Sequence, residues 1–127
     1  MASANDIKLF ALRGAITATQ NSEQAILEAT RELVGEIVQR NSLDPGQMVS
    51  CIFSCTTDLD AQFPAVAARD LGLDQVALLC TQEIDVPGAL PKVIRLLLHY
   101  YAATGHEPQH VYLRDARSLR ADLQAAQ

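Results

Sequence analysis

Several things this chain lacks narrow it first. No apolar run approaches the ~20 residues needed to cross a bilayer, and the opening MASANDIKLF carries no basic segment followed by an apolar one, so a soluble, cytoplasmic protein with no membrane partner is expected. Basic residues are few: ten Lys and Arg against fifteen Asp and Glu give a formal net charge of −5. That argues against a nucleic-acid partner, because a phosphate backbone favours a basic surface. It says nothing against a small anion, which depends on where individual arginines sit. Neither common glycine-rich phosphate loop is present, so nucleotide binding has no positive sign. There is no Cys-x-x-Cys, internal repeat, low-complexity tract or linker. The three cysteines exclude a disulfide framework: Cys51 and Cys55, four apart in a strand, would stand about 13 Å from each other, too far to bridge. The odd count and this spacing point to a reducing, intracellular compartment.

At 127 residues, 49% hydrophobic and 20% charged, the chain fits one globular domain. At that size roughly two thirds of the unfolded surface is buried, so no structural metal is required. Lys8 to Thr17 (KLFALRGAIT) reads as a first strand with a tight point at Gly14. Asn21 or Ser22 offers a helix N-cap, and Ile26, Leu27, Thr30, Leu33, Val34, Ile37 and Val38 then recur at three- and four-residue steps. After the turn Leu43 to Gln47 comes a second strand, Met48 to Cys55. Pro64 opens a short helix that Gly72 terminates. Gln75 to Cys80 reads as a third strand, apolar enough to be buried on both faces. A helix from about Gly88 to Thr104 is expected next, with Leu90, Val93, Ile94, Leu97, Leu98 and Tyr101 as its stripe. His110 to Arg114 makes a fourth strand. The order β-α-β-α-β-α-β predicts an α/β sandwich with helices packed on a sheet.

The charged residues have ordinary readings beside functional ones. Lys92, Arg95 and His99 fall at helical steps and suit a solvated helix edge, and Arg69 suits a short surface helix. Arg13 is flanked by apolar residues, and a buried guanidinium would need partners, although an outward-facing place on an edge strand is equally open. In CTQEIDVPG (Cys80 to Gly88), Asp85 suits the cap of a following helix; Glu83, just off a strand, is less well explained that way. His106 and His110 have ligand spacing, but Pro108 between them spoils a helix, and no metal site is expected. No Ser-His-Asp arrangement is suggested by spacing.

Four segments together carry a resemblance: LRGAIT (Leu12 to Thr17), SCTTDLDAQFPAVAAR (Ser54 to Arg69), CTQEIDVPGALPKVIRLL (Cys80 to Leu97) and HVYL (His110 to Leu113), with SLRADL after them. In this order and separation the chain resembles the small trimeric chorismate mutases of the bacterial α/β type, from about Leu12 to Leu123. The resemblance implies a cofactor-free [3,3] rearrangement of chorismate to prephenate, on the route to phenylalanine and tyrosine. Such a step needs no nucleophile, proton relay or metal. It needs the flexible dianion held folded and the charge growing on its ether oxygen stabilised.

By the resemblance, Arg95 reaches the ether oxygen and the side-chain carboxylate, Arg13 and Tyr112 bind the enolpyruvyl carboxylate, and Glu83, with Cys80 beside it, meets the ring hydroxyl. Phe63 and Ala65 wall the pocket, Arg69 stands near its mouth, and Leu119 and Arg120 belong to a segment that closes over the ligand. Some relatives have a lysine where this chain has Val66, which leaves the ring carboxylate to Arg69, Arg120 or solvent. The family also implies a homotrimer forming a barrel-like core of sheets, with active sites between subunits, and a mobile tail over roughly the last ten residues. Two other functions are consistent with this scaffold: a non-catalytic small-anion-binding module, and a different small-molecule enzyme such as an enamine hydrolase.

Overall fold

The computed structural model describes residues 6–120. Its centre is a five-stranded mixed sheet in the order β3-β2-β4-β1-β5. The strands are β1 Ile7–Thr17, β2 Met48–Cys55, β3 Ala77–Gln82, β4 Val93–Ala103 and β5 Val111–Tyr112; the helices are α1 Glu23–Asn41 and α2 Ala65–Asp70. The result is an α+β fold with helices packed on a mixed sheet. Among the described residues no helix is long and apolar enough to cross a membrane.

Local chemistry sets the first half. Ser22 is extended at the N-cap of α1 and its Oγ accepts from the Ala25 amide at 3.1 Å, while Ser42 ends the helix in the left-handed region. The stripe of α1, including Ile26, Leu33, Val34 and Ile37, is buried against the sheet. Burial of each such side chain contributes about 1.5–3 kcal/mol. Gly14 is the point of closest approach: a Cβ there would stand 2.8 Å from Ile37 Cδ1. A side chain at that place on β1 would force the ends of Ile37 and Leu33 on α1 to move aside.

Four expectations need correction. The segment from Gly88 to Thr104 is not a helix: it is a loop followed by β4, which pairs antiparallel with β1 from Ile7↔Ala103 to Thr17↔Val93 and with β2 on its other side. A continuous apolar run fits a three-to-four period and a two period equally well, and here the long-range pairing decides. Ile94, Leu96, Leu98, Tyr100 and Ala102 are buried, with Arg95, Leu97, His99 and Tyr101 alternating on the other face. β3 is not buried on both faces either; it is an edge strand with Leu79 57% exposed. The last strand shortens to Val111–Tyr112, parallel to β1. Asp85 consequently caps no helix. It lies exposed in the loop between β3 and β4, where Gly88 takes a φ of 83°. The expected tail lies largely outside the described residues.

The two faces of the sheet differ. Leu12, Ile16, Cys51, Phe53, Leu98 and Tyr100 lie in the main core with the stripe of α1. On the opposite face a small second cluster of Ala15, Val93, Tyr112 and Ala116, with Leu90 and Leu119 packed against it, covers one end. The rest of that face has no covering element among the described residues.

Candidate active site

The open face carries the charged residues in a fixed register. Across one row stand Tyr112, Ala15, Arg95, Ser54 and Thr81, each paired with the next; the adjacent row is Arg13, Leu97, Ile52 and Leu79. Paired residues share a face, so Arg13 and Arg95 are diagonal neighbours about 7–8 Å apart at the backbone. Glu83 follows β3 as its next residue on this side; its amide donates to the Cys55 carbonyl at 2.8 Å, which holds it alongside β2.

These side chains line a depression of about 240 Å³ formed by Arg13, Ile52, Ser54, Glu83, Arg95, Leu96 and Leu97. A second, of about 460 Å³, shares Glu83 and Arg95 and continues to Thr56, Gly88, Leu90, Ser118 and Leu119. The Arg95–Glu83 pair therefore stands between them. Arg95 Nε lies 3.1 Å from Glu83 Oε1, with the two side chains 38% and 27% exposed. The separation is that of an ion pair, but the alignment of a hydrogen bond is missing: Arg95 Nε is buried and has no hydrogen-bond partner among the described residues. At this exposure the charge attraction is screened and adds little to stability.

The other expected residues divide. Tyr112 shares the row of Arg95, on the far side of Ala15, and Leu119 lines the larger depression. Arg120 is close enough to His110, beside Arg13, to oppose protonation of that ring. Phe63, Ala65 and Arg69 line neither depression. They belong to α2 and the turn before it, where Ala65 is buried in the main core, Arg69 is exposed and Phe63 is 65% exposed. Cys80 pairs with Phe53 and packs against the main core, on the opposite face from Arg95. Within one chain, then, Arg13, Glu83, Arg95 and Leu119 are brought together, whereas Phe63, Ala65, Arg69 and Cys80 are not.

Two polar devices escaped the sequence reading. Thr56 Oγ1 accepts from the Val93 amide at 3.0 Å and Asp58 accepts from the Lys92 amide at 2.9 Å, which fixes the start of β4 and hence the reach of Arg95. Lys92 has a φ of 55° at that point. The signal was the polar Thr-Thr-Asp directly after a strand, a turn-forming combination. The second is His110, whose Nδ1 accepts from the Arg13 amide. The buried thiols add no chemistry. Burial, then the neighbouring Cys80, pushes Cys51 up to about 12, and the same two causes followed by Glu83 and Asp58 do so for Cys55.

The profile of the family described as Chorismate mutase type I matches residues 9–123. This chain belongs to the chorismate mutase type I family. It is 43% identical to Chorismate mutase AroH of Thermus thermophilus over 118 residues, covering 91% of this chain and 97% of that one. With Chorismate mutase AroH of Bacillus subtilis (strain 168) it shares 39% identity over 114 residues, 88% and 90% of the two chains. A solved chorismate mutase from Clostridium thermocellum superposes with a TM-score of 0.81 at 42% identity, covering 86% of this chain and 98% of that chain. The family match spans β1 to the C-terminal turn, and so takes in every residue of the two depressions.

Proposed function

We propose that this chain is a cofactor-free chorismate mutase, an isomerase that converts chorismate to prephenate in aromatic amino-acid biosynthesis, in the cytoplasm. The observation that carries the reading is the Arg95–Glu83 ion pair, set beside Arg13 on the open face of the sheet where the two depressions meet, in a chain of this family. The rearrangement breaks a carbon–oxygen bond ahead of carbon–carbon bond formation, so negative charge grows on the ether oxygen. A fixed guanidinium in a partly desolvated cleft stabilises that charge without reorganising, which water cannot do. Arg13, with Tyr112 beside it, takes the enolpyruvyl carboxylate and draws that arm over the ring, removing conformational freedom before the bond change. Glu83 orients Arg95 and accepts from the ring hydroxyl. The barrier lowering required is at the modest end of enzymatic rate enhancements, about 8 kcal/mol.

The division of the site between two faces fits a homotrimer in which the open face of one copy meets the α2 side of its neighbour. Phe63, Ala65, Arg69 and Cys80 would come from that neighbour, while Leu119 and Arg120 close over the substrate, which binds at the one domain's edge. Leu9, Leu79 and Tyr101, exposed on the open face, support such an assembly.

The test is to incubate the purified protein with chorismate in metal-free buffer containing EDTA. Loss of the chorismate ultraviolet absorbance would be followed, and prephenate identified by its acid conversion to phenylpyruvate. Rapid conversion unaffected by EDTA is expected. A folded protein that binds chorismate without turning it over would instead be an anion-binding module.

A further inference from the structure

β1 is hydrogen-bonded to β4 along its whole length, but on its other edge only Gly14 and Ala15 pair with β5. The Leu113 amide donates to the Ala15 carbonyl at 2.9 Å and marks one end of that short ladder. At the other end the amide of Arg13 has no strand to meet. It donates instead to Nδ1 of His110 at 2.9 Å. The donor being an amide N–H, Nδ1 is the unprotonated nitrogen, so the ring is neutral with its proton on Nε2.

The imidazole is itself held in place. Next to it, the Gln109 amide donates to Asn41 Oδ1 at 2.7 Å, and Asn41 Nδ2 donates to the Gln109 carbonyl at 3.0 Å. Asn41 is buried at the end of α1, so the backbone before His110 is tied to the helix. Two cations near the ring oppose a proton, Arg13 on β1 and Arg120 in the C-terminal turn, while Asn41 on α1, which holds the preceding residue, carries no charge.

We infer that His110 is a positioning residue for Arg13: its neutral ring supplies the acceptor that β5 does not, and so fixes the strand from which the Arg13 guanidinium reaches the anionic end of the substrate. The inference rests on the role given to Arg13 above. Burial first, then the charges of Arg13 and Arg120, holds His110 below its ordinary value of 6.5. The ring is nonetheless largely exposed, so burial acts only in part. Protonation would set N–H against N–H, release the Arg13 amide to water and loosen the β5-side edge of β1 at the residue that binds.

The test compares wild type with His110→Ala and His110→Asn in steady-state assays with chorismate between pH 5.5 and 8. His110→Ala should raise KM about three- to tenfold, the effect of one lost hydrogen bond, with kcat within about twofold of wild type. Asn can present Oδ1 to the same amide and cannot titrate, so His110→Asn should restore KM. It should also abolish the rise in KM expected of wild type as the pH falls through the lowered His110 pKa, below its ordinary value of 6.5. In an Arg13→Ala background His110→Ala should add no further loss. An unchanged KM in His110→Ala, or the same loss with Arg13 already removed, would overturn the inference while leaving the mutase reading intact. An inactive wild type would overturn that reading and this inference together. A readout that needs no turnover is the Arg13 amide resonance. It should follow the His110 titration in wild type and stay flat in His110→Asn; a flat wild-type resonance would refute the hydrogen bond itself.

Discussion

The two faces of the sheet use the same alternation for opposite ends. On the covered face every second residue is apolar and α1 seals it, so Leu12, Phe53, Leu98 and Tyr100 are almost wholly removed from water. On the open face the intervening positions hold Arg13, Arg95, His99 and Ser54 beside Leu79 and Tyr101, and among the described residues only one end is covered. A β-strand separates such roles cleanly because neighbouring residues point to opposite sides. Substitution on one face should therefore change folding, and on the other chemistry or assembly.

The largest separation is expected at Arg95. Arg95→Ala should lower kcat about a thousandfold, the scale of removing a donor aimed at developing charge, with an unchanged denaturation midpoint and assembly. Replacing Arg95 by citrulline, neutral and of the same shape, would assign that loss to charge. An active Arg95→Ala protein would remove the proposed mechanism. On the covered face Phe53→Ala should do the reverse, costing about 3–5 kcal/mol of stability in chemical denaturation, because the buried ring leaves a cavity under α1. Phe53→Ala protein still folded in the cold should turn over with near-normal KM.

Between these lies Leu79→Asp. Leu79 is exposed on an edge strand, so within one chain the change should alter stability by no more than about 0.5 kcal/mol. If the open face meets a second copy, the buried charge should split the assembly, visible by sedimentation, and activity should fall with it. An intact, active assembly in Leu79→Asp would place the interface elsewhere.

The contrast between the faces also explains what could be read in advance. α1 and β2 were legible because their signals are local: a Ser22 cap, a stripe at helical steps, a Pro-Gly turn, and Gly14 where the helix must approach. β4 was not. VIRLLLHYYAA satisfies a helical stripe on its own, and what makes it a strand is eleven residues of β1 far away in sequence. The same misreading hid the site's register, because Arg95 and His99 were set on a helix edge with Lys92, whereas in β4 they share a sheet face with Arg13. Arg13, Glu83 and Arg95 were given roles by family resemblance: spacing set Arg95 on a solvated helix edge, left Arg13 open between a buried and an edge-strand place, and explained Glu83 poorly as a cap. The role of His110 had no local signal, and Thr-Thr-Asp signalled only a turn: each acts through a backbone amide whose need for a partner depends on where a neighbouring strand starts or stops.

The smallest expected effect isolates the covered face through its titrating groups. Burial raises the pKa of Cys51 and Cys55 to about 12 and that of Tyr100 above its ordinary value, in each case because an anion there would be desolvated. A raised pKa in the folded chain means that folding favours the protonated form. The contribution is complete below the ordinary values of 9.0 for the thiols and 10.0 for the phenol; that of the thiols is lost as pH climbs towards 12, and that of Tyr100 as pH rises above 10.0 through its raised value. The denaturation midpoint should therefore decline gradually above pH 9 rather than collapse at one value. Thiol reagent at pH 8 should reach the half-buried Cys80 alone, leaving Cys51 and Cys55 until the chain unfolds. Early modification of Cys51 would mean that α1 lifts from the sheet in the native state, and the two faces would then be less separate than their burial implies.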